Sequence, residues 1–308
     1  MTHLPQLEHY LGSRIASPKS VAAYMFDIRK FTDTNPDYRT YTYDDLSAYF
    51  TSLNDRYRRE DGRVTGSVAR IFVSVKWLYS FLVHTGVRDT HPFPPSYRIK
   101  GTKSKGVDGS GILTPDELQG LFAFAKNETV RYESLKQRNL VILSLLVCQG
   151  LTGREISNLE VSDIDLDRGM MDIQKTTNTN ARRLPLHPTQ FMVFNTYMTG
   201  GRESLLKDSC SATLNRTFIV NPRGNADLTD MICRILMKYR LLFGGKPVTA
   251  ENIRRSVIWN MLNIEKKPVE QVQLFAGHMW PSTTQRYVSA IDFNDRGMIN
   301  RLHPMELL

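Results

Sequence analysis

The most informative stretch of the chain is residues 249–289, which read TAENIRRSVIWNMLNIEKKPVEQVQLFAGHMWPSTTQRYVS. The spacing of apolar residues predicts two helices, the first carrying Arg254 in its second turn and the second ending at Gly277. His278 follows that glycine directly, and Tyr287 comes nine residues after His278, behind a Ser-Thr-Thr run. A guanidinium, an imidazole and a phenol therefore follow one another along this stretch, at or close to the predicted helices.

A second informative stretch, QGLTGREISNLEVSDIDL at residues 149–166, precedes this region. Its pattern predicts a short helix near Glu155. Strands are predicted around residues 170–174 and 183–186, joined by a turn rich in threonine and asparagine. Because the remaining periodicity is helical, the sequence predicts a mainly α fold with a small antiparallel β-sheet.

The chain of 308 residues is long enough for two domains. Residues 1–95 read as a helical N-terminal domain, and residues 96–112 read as a basic linker rich in proline, glycine and serine. Residues 113–308 read as a second domain that ends in a helical tail. The basic side chains in both domains and in the linker have two interpretations: they form a solvated surface, or they contact phosphate. The candidates for phosphate contact are Arg70, Lys76, Arg98, Lys100, Lys103, Lys105 and Arg182.

The composition indicates which partners, cofactors and cellular location to expect. Forty Lys and Arg against 31 Asp and Glu give a net charge of +9, which is compatible with a polyanionic partner. The three cysteines and seven histidines lack the spacing of a disulfide framework or a metal site, so we expect no metal and no cofactor. No apolar run is long enough to span a membrane, and the N-terminal residues lack a signal pattern. We therefore expect a cytoplasmic protein.

The order Arg254, Gly277-His278, Ser-Thr-Thr-x-x-Tyr287 resembles the C-terminal half of the tyrosine recombinases, the phage integrase family. The corresponding family segments read roughly HxLRH, LGH and TTxxY. The stretch 149–166 resembles the family's first catalytic box, and the predicted hairpin ends in a matching Leu-Pro-Leu. The resemblance covers nearly the whole chain. It implies an N-terminal core-binding (SAM-like) domain and an α-rich catalytic domain on either side of the basic linker.

The resemblance also implies a chemistry and a set of roles. Tyr287 would attack a DNA phosphodiester and form a 3′-phosphotyrosyl link, and Arg254 would clamp the phosphate. His278 would be a second phosphate donor or a proton shuttle, and Lys175 would protonate the leaving 5′-oxygen. The implied partners are double-stranded DNA and further copies of this chain, with a dimer at each site and a tetrameric synapse. The family also admits an accessory DNA-bending protein.

Two positions depart from the family pattern. Thr152 stands where the first catalytic arginine is expected, and Arg154, two residues further on, is the first candidate to replace its charge. On a helix of 3.6 residues per turn that shift turns the side chain by about 200°, toward another face. Glu251 stands at the family's histidine position, where its charge is wrong for a phosphate. Thr152 and Glu251 also have local explanations, as a helix cap and as a complement to the helix macrodipole.

Three functions remain open at this point. The first is a site-specific recombinase or integrase, serving a mobile element or a chromosome, that exchanges strands through a Holliday junction. The second is a degenerate relative that binds DNA without cutting it. The third is an enzyme like the type IB topoisomerases, which relaxes DNA without pairing sites. The order of the motifs favours the first.

Overall fold

A computed structural model of the chain divides into two compact units, Met1–Ser104 and Lys105–Leu308. This division falls within the predicted linker, residues 96–112. The described residues are 4–15, 17–57, 66–94, 97, 107, 109, 111–207, 216–222 and 228–288. The predicted helical tail after residue 288 lies outside them, as do four of the predicted DNA contacts, Arg98, Lys100, Lys103 and Lys105.

The described part of the first unit forms four helices around one apolar core. They are α1 (Leu4–Gly12), α2 (Pro18–Thr34), α3 (Tyr43–Arg56) and α4 (Gly66–His84). Helix α2 begins where the Ser17 side chain accepts a hydrogen bond from the backbone three residues on, and Thr42 begins α3 in the same way. Helix α4 buries Val75, Leu78 and Tyr79 at the spacing of one helical face.

A partly buried ion pair joins α2 to α4. Arg70 donates hydrogen bonds of 2.9 and 3.0 Å to the carboxylate of Asp27, and Ser74 donates a third of 3.1 Å. The Asp27 side chain is 3% exposed and that of Arg70 is 45% exposed. Arg70 already balances a buried carboxylate, so the charge that it can offer a phosphate is reduced. Lys76, the other candidate on α4, is half-buried, with its ammonium 5.7 Å from the centre of the Phe72 ring.

By length and composition alone, α4 could cross a membrane, because it has 19 residues and a mean hydropathy of 1.3. It is the only helix of this kind among the residues that the structure describes. Its buried side chains belong to the core of the first unit, where α4 packs against α2 and α3. This packing accounts for the apolar composition of α4. The sequence pattern had predicted no membrane-spanning segment.

The second unit surrounds a larger core with helices and one small sheet. Its helices are α5 (Pro115–Asn127), α6 (Glu133–Gln149), α7 (Gly153–Asn158), α8 (Pro188–Thr196), α9 (Arg202–Lys207), α10 (Thr229–Met237), α11 (Ala250–Asn263), α12 (Val269–Ala276) and α13 (Pro281–Gln285). Helix α6 lies at the centre, in contact with α5, α8 and α11. Its side chains Val141 and Leu145 are fully buried, which fits the continuous apolar run in this part of the sequence.

The sheet is antiparallel in the order β1, β2, β3, with strands β1 (Ile164–Asp165), β2 (Met170–Ile173) and β3 (Arg182–Pro185). Strands β2 and β3 are the predicted hairpin, with Met171 opposite Leu184. Strand β1 has only two residues, too few for an alternating pattern to reveal. The predicted fold class, mainly α with a small antiparallel sheet, is confirmed.

Candidate active site

Three side chains singled out in the sequence come together in the second unit. Arg254 lies on α11, His278 follows the end of α12, and Tyr287 follows α13. The rings of His278 and Tyr287 are stacked, with centroids 6.1 Å apart and planes 19° apart. Burial raises the pKa of the Tyr287 hydroxyl, and the positive charge of Arg254 opposes this rise. A phenol and an imidazole therefore lie close enough to one guanidinium for its charge to influence the pKa of both.

The guanidinium of Arg254 is held by two helix ends. It donates to the carbonyl oxygens of Gly150, after α6, and Ala276, the last residue of α12, at 2.7 and 2.6 Å. Carbonyls at helix C-termini have no partner within the helix and carry partial negative charge, so they suit a cation. Burial lowers the pKa of Arg254 and the nearby Glu155 carboxylate raises it, while a guanidinium remains charged in proteins. A fixed cation is therefore built into this site.

Glu155, which the sequence analysis did not assign to the site, is its buried anion. Its side chain is completely buried. It accepts hydrogen bonds from the backbone and hydroxyl of Thr152 at 2.8 and 3.0 Å and from the hydroxyl of Thr179 at 2.9 Å. Burial raises its pKa, but hydrogen bonding and charge from Arg182 bring the net pKa below the usual range. The Thr-x-x-Glu capping pattern was visible in the sequence, whereas the distant partners were not.

Arg182 lies in the interior, beside Glu155. Its side chain is 6% exposed, and its guanidinium donates to the Glu155 carboxylate at 2.5 Å and to the carbonyl of Phe275 at 2.7 Å. The assignment of Arg182 to DNA contact stays a prediction, and the structure adds that this side chain forms an interior ion pair with Glu155. The physical reason is that a buried carboxylate needs a counter-charge, and β3 places this arginine next to it.

The turn between β2 and β3 is fastened to the residues after α12. Thr179 pairs with His278 as an isolated antiparallel bridge, and the Asn180 backbone donates to the carbonyl of Gly277 at 2.8 Å. Gly277 has a φ of +69°, and a Cβ there would come within 2.5 Å of the Arg182 guanidinium. Glycine at this position is thus required by backbone conformation and by the close approach of the arginine.

Gly277→Ala is expected to lower the free energy of unfolding by more than about 1 kcal/mol, because positive φ disfavours alanine and the added methyl group displaces Arg182. Gly244→Ala is the matched control, since Gly244 has a φ of +57° with nothing within 4 Å of its Cβ position. Chemical denaturation of both variants isolates the cost of the collision. Equal losses in the two would show that Arg182 does not pack tightly against Gly277.

His278 is held as a neutral imidazole. The residue is 7% exposed, and its Nδ1 lies 2.8 Å from the Thr284 hydroxyl oxygen. Burial lowers the pKa of His278 to about 4, with Arg254 and Arg182 adding to the effect and Glu155 opposing it. A neutral imidazole at pH 7 keeps one nitrogen able to accept a proton and the other able to donate one, which is what a proton shuttle requires.

This depressed pKa predicts a pH-dependent stability. Between pH 6.5 and pH 4 the unfolded chain binds a proton at His278 that the folded chain does not bind, so stability falls as the pH falls through this range. The contribution is on the order of 3 kcal/mol in full. Urea unfolding of the wild type and of His278→Gln, followed across this range, is expected to show a smaller acid loss in the variant. Identical profiles would mean that His278 titrates normally.

The remaining predicted site residues lie at the edge of this arrangement. Lys175 is exposed, directly before the turn that pairs with His278. Arg154 is exposed on α7 and is not among the charges that shift the pKa of His278. Glu251 is exposed in the first turn of α11, where its charge complements the helix macrodipole and raises the pKa of Tyr287.

Thr152 has a local role. It is the N-cap of α7, and its side chain and backbone form a capping box with Glu155. The position at which the family pattern has an arginine is thus occupied by a neutral cap. Within the described ranges, no three His, Cys, Asp or Glu side chains are grouped in a way that could hold a metal ion.

Known proteins share sequence similarity with most of this chain. The model of the phage integrase family matches residues 112–292. The tyrosine recombinase XerC of Roseiflexus castenholzii is 28% identical over 289 residues, which cover 91% of this chain and 86% of the relative. XerC of Oceanobacillus iheyensis is 27% identical over 316 residues, covering 97% of both chains. The family match alone spans more than half of the chain.

Solved structures share the fold at lower identity. The XerH site-specific recombinase bound to its difH substrate superposes with a TM-score of 0.70 at 15% identity, covering 97% of this chain and 84% of that one. The integrase of transposon Tn1549, bound to transposon right end DNA, gives 0.69 at 14% identity, covering 98% and 99%. At these identities the likeness concerns the fold.

Proposed function

The chain belongs to the phage integrase family of tyrosine recombinases, and on that premise we propose that it is a site-specific DNA recombinase or integrase. It cleaves and rejoins DNA through a 3′-phosphotyrosyl intermediate and a Holliday junction. The observation that carries this proposal is the convergence of Tyr287, His278 and Arg254 around one buried charge cluster. Sequence similarity to XerC-type tyrosine recombinases over more than nine tenths of the chain supports it.

In the cleavage step, the oxygen of Tyr287 attacks a DNA phosphorus as the bond to the 5′-oxygen breaks. The phenolic proton passes to neutral His278, and Arg254 balances the negative charge that develops on the phosphate oxygens. The leaving 5′-oxygen takes a proton from Lys175. Because one phosphoester bond replaces another, attack by a 5′-hydroxyl of the partner strand reverses the step without an energy source. No cofactor is required for this balance.

The raised pKa of Tyr287 makes activation of the hydroxyl necessary. Arg254 favours the phenolate, and Glu251 opposes it. DNA phosphate drawn into the site adds further negative charge, so the phenol is best deprotonated as it attacks rather than beforehand. Concerted transfer of its proton to His278 meets this requirement.

The partner is double-stranded DNA. Two protomers occupy each recombination site and four form the synapse, with an accessory DNA-bending protein as a further component. Solved structures of similar fold bound to DNA, among them XerH on difH, support double-stranded DNA as the partner. The enzyme then works in the cytoplasm, where its DNA is found. Its contacts to the phosphate backbone come from Lys76 and the basic residues of the linker.

A two-step assay tests the function. Covalent adducts trapped from a pool of nicked duplexes yield a target sequence, and two differently labelled duplexes carrying that sequence are then incubated with the protein. Recombinant duplexes and four-way junctions are expected. Relaxation of supercoiled DNA without recombinants would instead identify an enzyme like the type IB topoisomerases. Salt-sensitive binding of the pool without any adduct would identify a degenerate DNA-binding relative.

A further inference from the structure

The site has an apparent charge deficit at Thr152. The family pattern has an arginine at this position. Thr152 is neutral, and both its backbone N–H and its hydroxyl donate hydrogen bonds to Glu155. A pentavalent phosphorane needs positive charge placed in advance, and the loss of one such donor costs about 100- to 1000-fold in rate. Arg154 is exposed and absent from the buried cluster, so a different cation has to be sought.

The geometry around Glu155 provides that cation. The carboxylate lies between two guanidiniums, with one oxygen 2.5 Å from Nη1 of Arg182 and the other 3.7 Å from Nη1 of Arg254. Paired with Arg254 alone, an ionised carboxylate at this distance would cancel most of its charge. With Arg182 as the closer partner, the two arginines and one carboxylate retain one net positive charge.

Arg182 is built into this position. Its guanidinium is fixed by the carbonyl of Phe275, and a Cβ at Gly277 would collide with it. Its Nη2 is buried and has no hydrogen-bond partner among the residues that the structure describes. Leaving a buried guanidinium nitrogen without an acceptor costs free energy. The residues around Arg182 therefore do not fully satisfy the hydrogen-bonding capacity of its positive group.

We infer that Arg182 supplies the positive charge that is missing at Thr152. It is a positioning residue: it neutralises Glu155, so that the charge of Arg254 stays available to the DNA phosphate. This inference rests on the proposed function, and it adds to that function the source of the active-site charge. It also explains how a neutral cap is tolerated at Thr152.

The test uses two variants that break the same ion pair from opposite sides. Arg182→Met lowers the net charge of the cluster, and we expect adduct formation on a nicked duplex to slow by about 100- to 1000-fold. Glu155→Gln raises the net charge and keeps a hydrogen-bond acceptor, so its rate is expected to equal or exceed that of the wild type. The double variant restores the net charge and is expected to recover most of the rate. Arg183→Met, on the exposed face of the same strand, is the matched control.

A purely structural role predicts a different result. Breaking a buried ion pair from either side would then slow both single variants in proportion to their loss of stability, which urea unfolding measures independently. A rate loss in Glu155→Gln equal to that in Arg182→Met would overturn the inference. If Arg182→Met fails to fold, Arg182→Lys takes its place: it keeps the charge, and a loss of more than about tenfold in that variant would also overturn the inference.

A measurement without DNA separates this inference from the proposed function. The charges acting on His278 are those of Arg254, Arg182 and Glu155, and its ring also faces Tyr287 and the Thr284 hydroxyl. Titration by NMR is expected to give a higher His278 pKa in Arg182→Met and a lower one in Glu155→Gln. Shifts in the same direction would overturn the charge balance. A wild type that forms no adduct with any duplex would overturn the proposed function, while this titration still decides the inference.

Discussion

Tyr287→Phe is expected to abolish covalent attachment to DNA, lowering adduct formation by more than about 10,000-fold, because the nucleophilic oxygen is lost. Within the part of the chain that the structure describes, the Tyr287 hydroxyl has no hydrogen-bond partner, and its ring packs against the core. Phenylalanine preserves that packing. Affinity for DNA and its salt dependence are therefore expected to stay close to those of the wild type.

The measurement is a denaturing gel of protein incubated with a nicked duplex, which separates covalent from reversible complexes. Tyr132→Phe is the matched control, because Tyr132 is an exposed tyrosine of the same unit, 53% accessible to solvent. Adduct in the Tyr287→Phe lane would remove Tyr287 from the nucleophile role. Loss of adduct in both lanes would indicate a general defect of the preparation.

Arg254→Lys is the second change with a large expected effect. Lysine keeps the positive charge, but one ammonium lacks the planar fork that reaches the carbonyls of Gly150 and Ala276 together. We expect cleavage to fall by about 100- to 1000-fold, as for the loss of a transition-state donor. Stability is expected to fall by about 1.5–3 kcal/mol, as for one charged hydrogen bond.

Arg202→Lys separates the two effects, since Arg202 also donates twice to a backbone carbonyl, that of Thr217, at 3.2 and 2.8 Å. It lies on α9, outside the candidate active site, so its replacement is expected to reduce stability without a comparable loss of cleavage by the folded protein. Single-turnover cleavage and urea unfolding of both variants provide the comparison. Equal rate losses at equal stability would assign Arg254 to the fold rather than to the chemistry.

Much of the fold was predictable because its signals are local. Capping residues such as Ser17, Thr42 and Thr114 are visible in the sequence, and they stand directly before α2, α3 and α5. Helix α6 begins at Glu133, well before the apolar run that starts at Leu140. The hairpin followed from alternation on either side of a polar turn. Helices α1, α8, α9 and α13 and strand β1 were not predicted, since all are short and acquire their order from packing against other parts of the chain.

The sequence alone reveals the family, the order of Arg254, His278 and Tyr287, and the departure at Thr152, because each depends on residue type and spacing along the chain. The tertiary structure was needed to find the cation that lies beside Glu155. Arg154 is two residues from Thr152 but exposed, whereas Arg182 is thirty positions away and lies against Glu155. The physical reason is that a buried carboxylate attracts a counter-charge through space, and the neighbours of Glu155 in space are set by the packing of α7 against the hairpin and the end of α12.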